Sequence, residues 1–284
     1  MTFERTSEGP KASIPAAKST ERIESLMPRG KDVVVIWYAE NVTAAQKRQV
    51  GTLRGFAAAG GKGANQAVAA ARLGANVSMI GRVGKDNFGD FLLDNLKQNN
   101  VDSTNVQRDD SSTGTATIIV DSNGQNSIVL SAGANGQVST LDVEHASHLN
   151  FNLLLLQLEI PTLTVLRAAQ LAKTRNAKVI LNPAPAKDIP DELIALCDYI
   201  IPNETELSLL TGVEVKDVAS AESAVRILLE RGAQNVIVTL GSKGALVVDR
   251  HISTHVDTFA VEVVDSTAAG DAFIGGFASV LESS

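Results

Sequence analysis

The sequence predicts an α/β fold in which a mostly parallel sheet carries helices on both faces, and three observations predict it. From Leu153 onward, short apolar runs alternate with stretches of helical periodicity. The composition is 44% hydrophobic but only 4% aromatic, which suits Ala-, Val- and Leu-rich helices packed on a sheet. A length of 284 residues is enough to bury one large core with a small appendage.

Taken in order, residues 1–30 mix Lys, Arg and Glu with Pro and Ser and read as a disordered leader, whose acidic residues argue against a transit peptide. Val33-Val34-Val35-Ile36 then has the pattern of a buried strand that starts the fold. Residues 37–54, with the bulky pair Trp37-Tyr38 and the polar run Gln46-Lys47-Arg48-Gln49, show neither a glycine turn nor a clear strand and receive no chemistry. Gly60-Gly61-Lys62-Gly63-Ala64-Asn65 runs into an Ala-rich helix that ends at Leu73, with Gly74 as its stop. Three glycines around one lysine let the backbone approach a polar ligand closely, or make a plain turn with a solvated lysine. The run is not a Walker A loop, since Gly63 follows Lys62 where Ser or Thr is needed. Nor is it a dinucleotide fingerprint, because Gln66 stands at the third glycine position.

A strand is expected over 76–80, then a helix capped by Asp86 and running to Leu96 with Phe88, Leu92 and Leu96 turned inward. Residues 115–120 and 127–130 are β-rich and separated by Asp121-Ser122-Asn123-Gly124, a hairpin that serves as a flap over a site or as a dimer contact. The regular alternation follows: strand 153–156, helix 161–174, strand 178–181, strand 199–201, a helix from Asn203, helix 220–231 stopped by Gly232, and strands 236–239 and 245–248.

In such sheets ligands bind beyond the carboxyl ends of the strands, and polar clusters stand there: Glu159, Asn182, Asn203 to Glu206, and Thr239-Leu240-Gly241-Ser242-Lys243-Gly244. Each has a structural reading beside the functional one. Asn203 and Glu206 are spaced as a capping box, the Thr239 run suits a hairpin turn, and Glu159 before Pro161 can simply start a helix. Near the end, Val263-Val264-Asp265-Ser266-Thr267-Ala268-Ala269-Gly270-Asp271 leads into a segment with Phe273, Ile274, Phe277, Val280 and Leu281 at helical spacing. Thr267 to Asp271 therefore form a strand-to-helix turn. Small side chains let the amides of Ala268, Ala269 and Gly270 face outward at the positive end of the helix dipole, where an anion binds. A carboxylate at Asp271 beside that cradle suits phosphoryl transfer to a hydroxyl, although an acidic first turn also complements the dipole.

A net charge of −7 and no basic cluster argue against nucleic acid or anionic membrane as partners. The single Cys197 among apolar neighbours reads as a buried thiol in a reducing cytoplasm, and no apolar run approaches the ~18 residues of a membrane span. His145, His148, His251 and His255 show no metal-ligand pattern beyond a loose pair.

Together, Gly60-Gly61-Lys62-Gly63-Ala64-Asn65-Gln66-Ala67, Asn182-Pro183-Ala184-Pro185, Pro202-Asn203-Glu204-Thr205-Glu206, Thr239 to Gly244 and Ala268-Ala269-Gly270-Asp271 resemble the ribokinase subfamily of PfkB-type carbohydrate kinases, in order and spacing, from about residue 56 to the end. The resemblance implies a ribokinase-like α/β domain over 31–284 with a small β lid near 41–56 and 113–131, and ATP-dependent phosphorylation of D-ribose at its 5-hydroxyl. It implies Asp271 as base and Ala268, Ala269 and Gly270 as anion hole. Gly60, Gly61, Lys62, Gly63, Ala64, Asn65, Glu159 and Asp271 would contact the sugar. Asn203 and Glu206 would serve ATP phosphates and Mg²⁺ through water, and Thr239, Leu240, Gly241, Ser242, Lys243, Gly244 and Gly270 the nucleotide. Asp265 and Thr267 would be half of a K⁺ site, and lid strands would pair two copies into a homodimer. Two departures stand out: the family's acidic sugar contact after the first strand is absent from Trp37-Tyr38-Ala39-Glu40-Asn41-Val42, and the family's further helix and loop do not follow Ser284. A kinase of a related sugar or nucleoside, an impaired remnant of the fold, and an NAD-dependent oxidoreductase without its glycine fingerprint are the competing classes.

Overall fold

In the computed structural model the described residues are 32–36, 40–48, 52–120, 126–261 and 266–281. The leader 1–30 lies outside them. Strand β1 (Asp32–Ile36) is followed by β2 (Glu40–Arg48) and β3 (Thr52–Gly60), then helix α1 (Lys62–Arg72), β4 (Asn76–Gly84), α2 (Asn87–Gln98) and β5 (Val101–Asp109). After β6 (Thr115–Val120), β7 (Asn126–Ser131) and the short helix α3 (Thr140–His145) come β8 (Leu153–Leu156), α4 (Thr162–Lys173), β9 (Lys178–Leu181), α5 (Asp191–Leu196) and β10 (Tyr199–Ile200). The last part holds α6 (Glu204–Thr211), α7 (Val218–Glu230), β11 (Asn235–Thr239), β12 (Ala245–Val248), β13 (Ser253–Val256) and α8 (Ala269–Val280).

A nine-stranded sheet runs in the order β13-β12-β11-β10-β9-β8-β1-β4-β5. It is parallel from β5 through β11, while β12 and β13 add antiparallel at one edge. A separate four-stranded sheet runs β3-β2-β6-β7. The leucine run of β8 shows why a parallel strand reads as continuously apolar: both of its faces are covered. Leu154 and Leu156 pack with Val165, Ala168 and Ala172 of α4, whereas Leu153 and Leu155 face the side that holds Ala67 and Ala70 of α1 and Ile274 of α8.

The segment 37–54 departs from its reading as neither turn nor strand. Here β2 and β3 pair antiparallel from Glu40 opposite Gly60 to Arg48 opposite Thr52, and β2 lies parallel to β6. Backbone pairing in this small sheet, not apolar alternation, specifies those strands, so periodicity alone does not disclose them. The edge strand β5 is equally polar in sequence; only its Val101 and Val106 are buried. Helices α3 and α5, of six residues each, are too short to show a period. At α2 the cap is as expected, Asp86 accepting from the Gly89 amide at 2.8 Å, and Leu92 and Leu96 are buried. Phe88 is 40% exposed, contrary to its predicted inward placement: it lies in the first turn, at the rim of the helix. Cys197 is buried, its thiol donating to the Leu193 carbonyl, and burial raises its pKa.

Candidate active site

Two helices build the centre of the site. Gly275 sits where α8 crosses α1, and a Cβ there would lie 2.5 Å from the Gln66 carbonyl oxygen and 2.6 Å from the Ala69 Cβ. Only glycine permits that approach. It brings the first turn of α8 against the first turn of α1, so that Asn65 Nδ2 donates to Asp271 Oδ2 at 2.9 Å and Gln66 Nε2 donates to Asp271 Oδ1 at 3.0 Å. Asp271 is thus buried but paired, as a buried carboxylate must be. It faces a cavity of about 190 Å³ that it shares with Lys62, Asn203, Glu206, Thr239 and Gly270.

The turn before α8 is shaped by Ala268, the N-cap residue, whose φ of 59° is left-handed. That conformation folds the chain so that the Ala269 amide donates to the Ser266 carbonyl at 3.1 Å. The expectation that the amides of Ala268, Ala269 and Gly270 all face outward is therefore corrected at Ala269, whose N–H closes the turn. Gly270 fronts open space, since a Cβ built there would meet no atom within 4 Å. Of the residues expected at a K⁺ site, Thr267 lies in this turn, while Asp265 lies outside the described residues.

Around the start of α1, Gly61 is the N-cap with φ 97°, and the Lys62 amide donates to Glu159 Oε2 at 2.9 Å. A carboxylate there meets the positive end of the helix. Gly63 and Ala64 are buried in this turn, and Gly60, Ala64 and Asn65 line a neighbouring cavity of about 300 Å³ that also touches Ala268. Glu159, Lys62, Asn65 and Asp271 thus gather at one helix end.

Asn203 and Glu206 do form the capping box: Glu206 N donates to Asn203 Oδ1 at 2.8 Å, and Asn203 N donates to Glu206 Oε2 at 2.9 Å. The same Glu206 also reaches the cavity, where burial pushes its carboxyl above the usual range, the Asp271 charge adding to the rise while the Asn203 amide and the Lys62 charge oppose it. The structural and functional readings of this pair are compatible. Thr239 to Gly244 is likewise both things at once, a hairpin turn between β11 and β12 and part of a cleft of about 600 Å³. Thr239, Gly241 and Gly244 line that cleft with Asn203, Gly270 and Phe273. Gly244 is required, since a Cβ would come within 2.0 Å of the Val256 carbonyl oxygen. Leu240, Ser242 and Lys243 are not on its lining: Leu240 is buried, and the Lys243 ammonium donates to the Lys216 carbonyl. The cavity at Asp271 and this cleft share Asn203, Thr239, Ala269 and Gly270, so the two adjoin. Among the described residues no group of three or more His, Cys, Asp or Glu is placed to hold a metal ion.

Sequence reasoning left out Gln66 and Gln157, which complete the polar interior behind Asp271, and the close approach at Gly275. Each carries a signal. Gln66 is a long amide within a run of alanines, and Gln157 ends a run of four leucines.

This arrangement, a carboxylate and a helix N-terminus on one cavity and a glycine turn on the cleft that adjoins it, suits transfer of an anionic group to a hydroxyl. Comparison with known proteins agrees. Ribokinase of Haemophilus influenzae is 46% identical over 225 residues, covering 78% of this chain and 74% of that protein. Deoxyribokinase of Salmonella typhi is 43% identical over 223 residues, covering 77% and 73%. The structure of Arabidopsis thaliana ribokinase complexed with ribose and ATP superimposes with a TM-score of 0.81 at 32% identity, covering 88% of this chain and 85% of that one. Residues 31–284 match the description pfkB family carbohydrate kinase. With that match spanning the whole α/β fold and its site, the chain belongs to the pfkB family of carbohydrate kinases.

Proposed function

We propose that this chain phosphorylates D-ribose at its 5-hydroxyl, with ATP as donor. The observation that carries the reading is Asp271, a buried carboxylate whose two oxygens each accept one amide hydrogen and which fronts a cavity adjoining the cleft at the Thr239–Gly244 turn. Asp271 accepts the hydroxyl proton as the sugar oxygen forms its bond to the γ-phosphorus, and the bond from that phosphorus to the β-γ bridging oxygen breaks to leave ADP. The first turn of α8, where Gly270 fronts open space, takes the charge that develops on the phosphoryl oxygens. Glu159 and Lys62 at the start of α1, with Asn65, hold the sugar hydroxyls. Thr239, Gly241 and Gly244 line the nucleotide.

The oxygen donors Glu206 and Asn203 fit Mg²⁺, which takes few protein ligands and retains waters, and burial of Glu206 is an electrostatic cost that a cation offsets. Bound with the phosphates, Mg²⁺ would neutralise their charge. Thr267 and the family resemblance support a K⁺ site beside this turn, with Asp265 outside the described residues. Val129 and Leu130, exposed on β7 at the edge of the small sheet, support pairing of two copies through the lid. No helix among the described residues is long and apolar enough to cross a membrane, and the buried free thiol fits a reducing cytoplasm.

The test is sugar-dependent ADP release in Mg²⁺ and K⁺ with ribose, 2-deoxyribose and adenosine, and phosphorus NMR of the product. Ribose should give the highest kcat/KM and a phosphate on carbon 5. Preference for deoxyribose or adenosine would move the reading to that substrate, and no release with any of them would leave an impaired member of the family.

A further inference from the structure

Gln66 is fully buried, and its side-chain amide stands among three polar side chains that lie apart in the sequence. Its Nε2 is 3.0 Å from Asp271 Oδ1 and 3.2 Å from Asn182 Oδ1, and its Oε1 accepts from Gln157 Nε2 at 2.6 Å. The direction of every bond in this chain is fixed from one end. Asn182 Nδ2 lies 3.0 Å from the Ile201 carbonyl oxygen and 3.4 Å from Glu206 Oε2. A backbone carbonyl only accepts, so that atom of Asn182 must be the amide nitrogen and the other its oxygen. Facing that oxygen, Gln66 must present its own nitrogen, one hydrogen going to Asn182 and the second to Asp271. Oδ1 of Asp271 is thereby obliged to accept.

Gln157 then has no choice either. Facing the Gln66 oxygen it must present nitrogen, and its own buried Oε1 is left without a partner among the described residues. Turning the Gln157 amide over would not help: it would set oxygen against oxygen at Gln66 and put the nitrogen in the orphan's place. An unpaired buried acceptor is a standing cost, and it is borne here behind Asp271, one of the two carboxylates that front the cavity.

We infer that Gln66 is a positioning residue for the reaction: it relays the polarity of the Ile201 carbonyl, through Asn182, to Asp271 and keeps the carboxylate aimed as a proton acceptor. This inference rests on the proposed role of Asp271 as base. It makes the buried side of α1 part of the transfer step, although Gln66 touches neither substrate.

Three variants test it: Gln66→Met, which keeps length and removes both donors; Gln66→Glu, which keeps an acceptor for Gln157 but turns its other oxygen toward Asp271 and Asn182; and Asn182→Ser, which removes the relay at a smaller side chain. Melting temperatures and titration with a fluorescent ATP analogue give the folded, nucleotide-binding fraction, so that rates are expressed per folded site. At saturating ATP the two Gln66 variants should lose about 10- to 100-fold in kcat, with the sugar KM within about threefold of wild type. Asn182→Ser should lose kcat in the same sense and keep the sugar KM. If the wild type turns over and all three variants stay within about twofold of it in kcat, or the loss falls on KM alone, the inference is overturned while the function stands. No sugar-dependent ADP release from the wild type would overturn both.

Discussion

Ala268 and Gly270 show how single residues set the site. Ala268 holds a left-handed backbone at φ 59°, a conformation that costs a residue with a Cβ about 1–2 kcal/mol. The strain sits where the chain enters the helix that carries Asp271, which is where strain is tolerated when it serves a site. Ala268→Gly should therefore raise stability by about 1 kcal/mol in urea unfolding. At Gly270 the argument is the opposite one: space, not φ. A methyl there meets no protein atom, so Gly270→Ala should leave the melting temperature unchanged or raise it, by up to about 1 kcal/mol of helix propensity. The same methyl enters the cavity in front of Asp271, and kcat/KM should fall by about tenfold or more. A fall in stability with activity intact would contradict this. At this scale the sequence was legible where the chemistry is local: Asp271 at a helix start, Asn203 with Glu206, the glycines around Lys62. It was silent on the partner of Gln66: an amide among alanines marks a polar group in an apolar run but not the carboxylate it will meet 205 positions away.

Among elements, the pairing of α1 with α8 is the one the site depends on. Gly275→Ala places a Cβ against the backbone of Gln66 and Ala70, atoms that cannot rotate away. The helices must separate, at about 1–3 kcal/mol of destabilisation in denaturant unfolding, and activity should fall with it because Asn65 and Gln66 move off Asp271. A second junction is electrostatic. Arg82 on β4 binds Asp109 of β5 at 2.7 Å and Asp142 of α3 at 3.0 Å. The Ser111 amide and hydroxyl, then Arg82, hold the Asp109 carboxyl down to about 2, from an ordinary 3.8. The unfolded chain binds that proton first as pH falls, so this contribution is fully present above pH 3.8 and is lost between there and about 2. Asp109→Asn should thus be destabilising at pH 7 and approach the wild type as pH drops through that window; a difference independent of pH would contradict the assignment. Elements with strong periods, such as α1, α7 and the parallel strands from β8 on, were legible in sequence to within two residues or so. The strands β2, β3 and β5 were not, since their pairing partners rather than their own residues make them strands.

For the whole molecule, the nine-stranded sheet delivers Glu159, Asn182, Asn203 and Thr239 past the carboxyl ends of its parallel strands, and α8 brings Asp271 to the same place from the far end of the chain. The convergence was visible in sequence as polar clusters after apolar runs; that the cavity at Asp271 adjoins the cleft at the Thr239–Gly244 turn was not, because it depends on how closely α8 can approach α1. The proposed reaction turns on Asp271 accepting a proton in the cavity beside that cleft. The most direct measurement is kcat for ribose-dependent ADP release, in saturating ATP, Mg²⁺ and ribose, of Asp271→Asn beside the wild type. A folded variant with unchanged nucleotide binding and a kcat lower by about 10²- to 10⁴-fold is the predicted result. An Asp271→Asn protein that turns ribose over at the wild-type rate would contradict it.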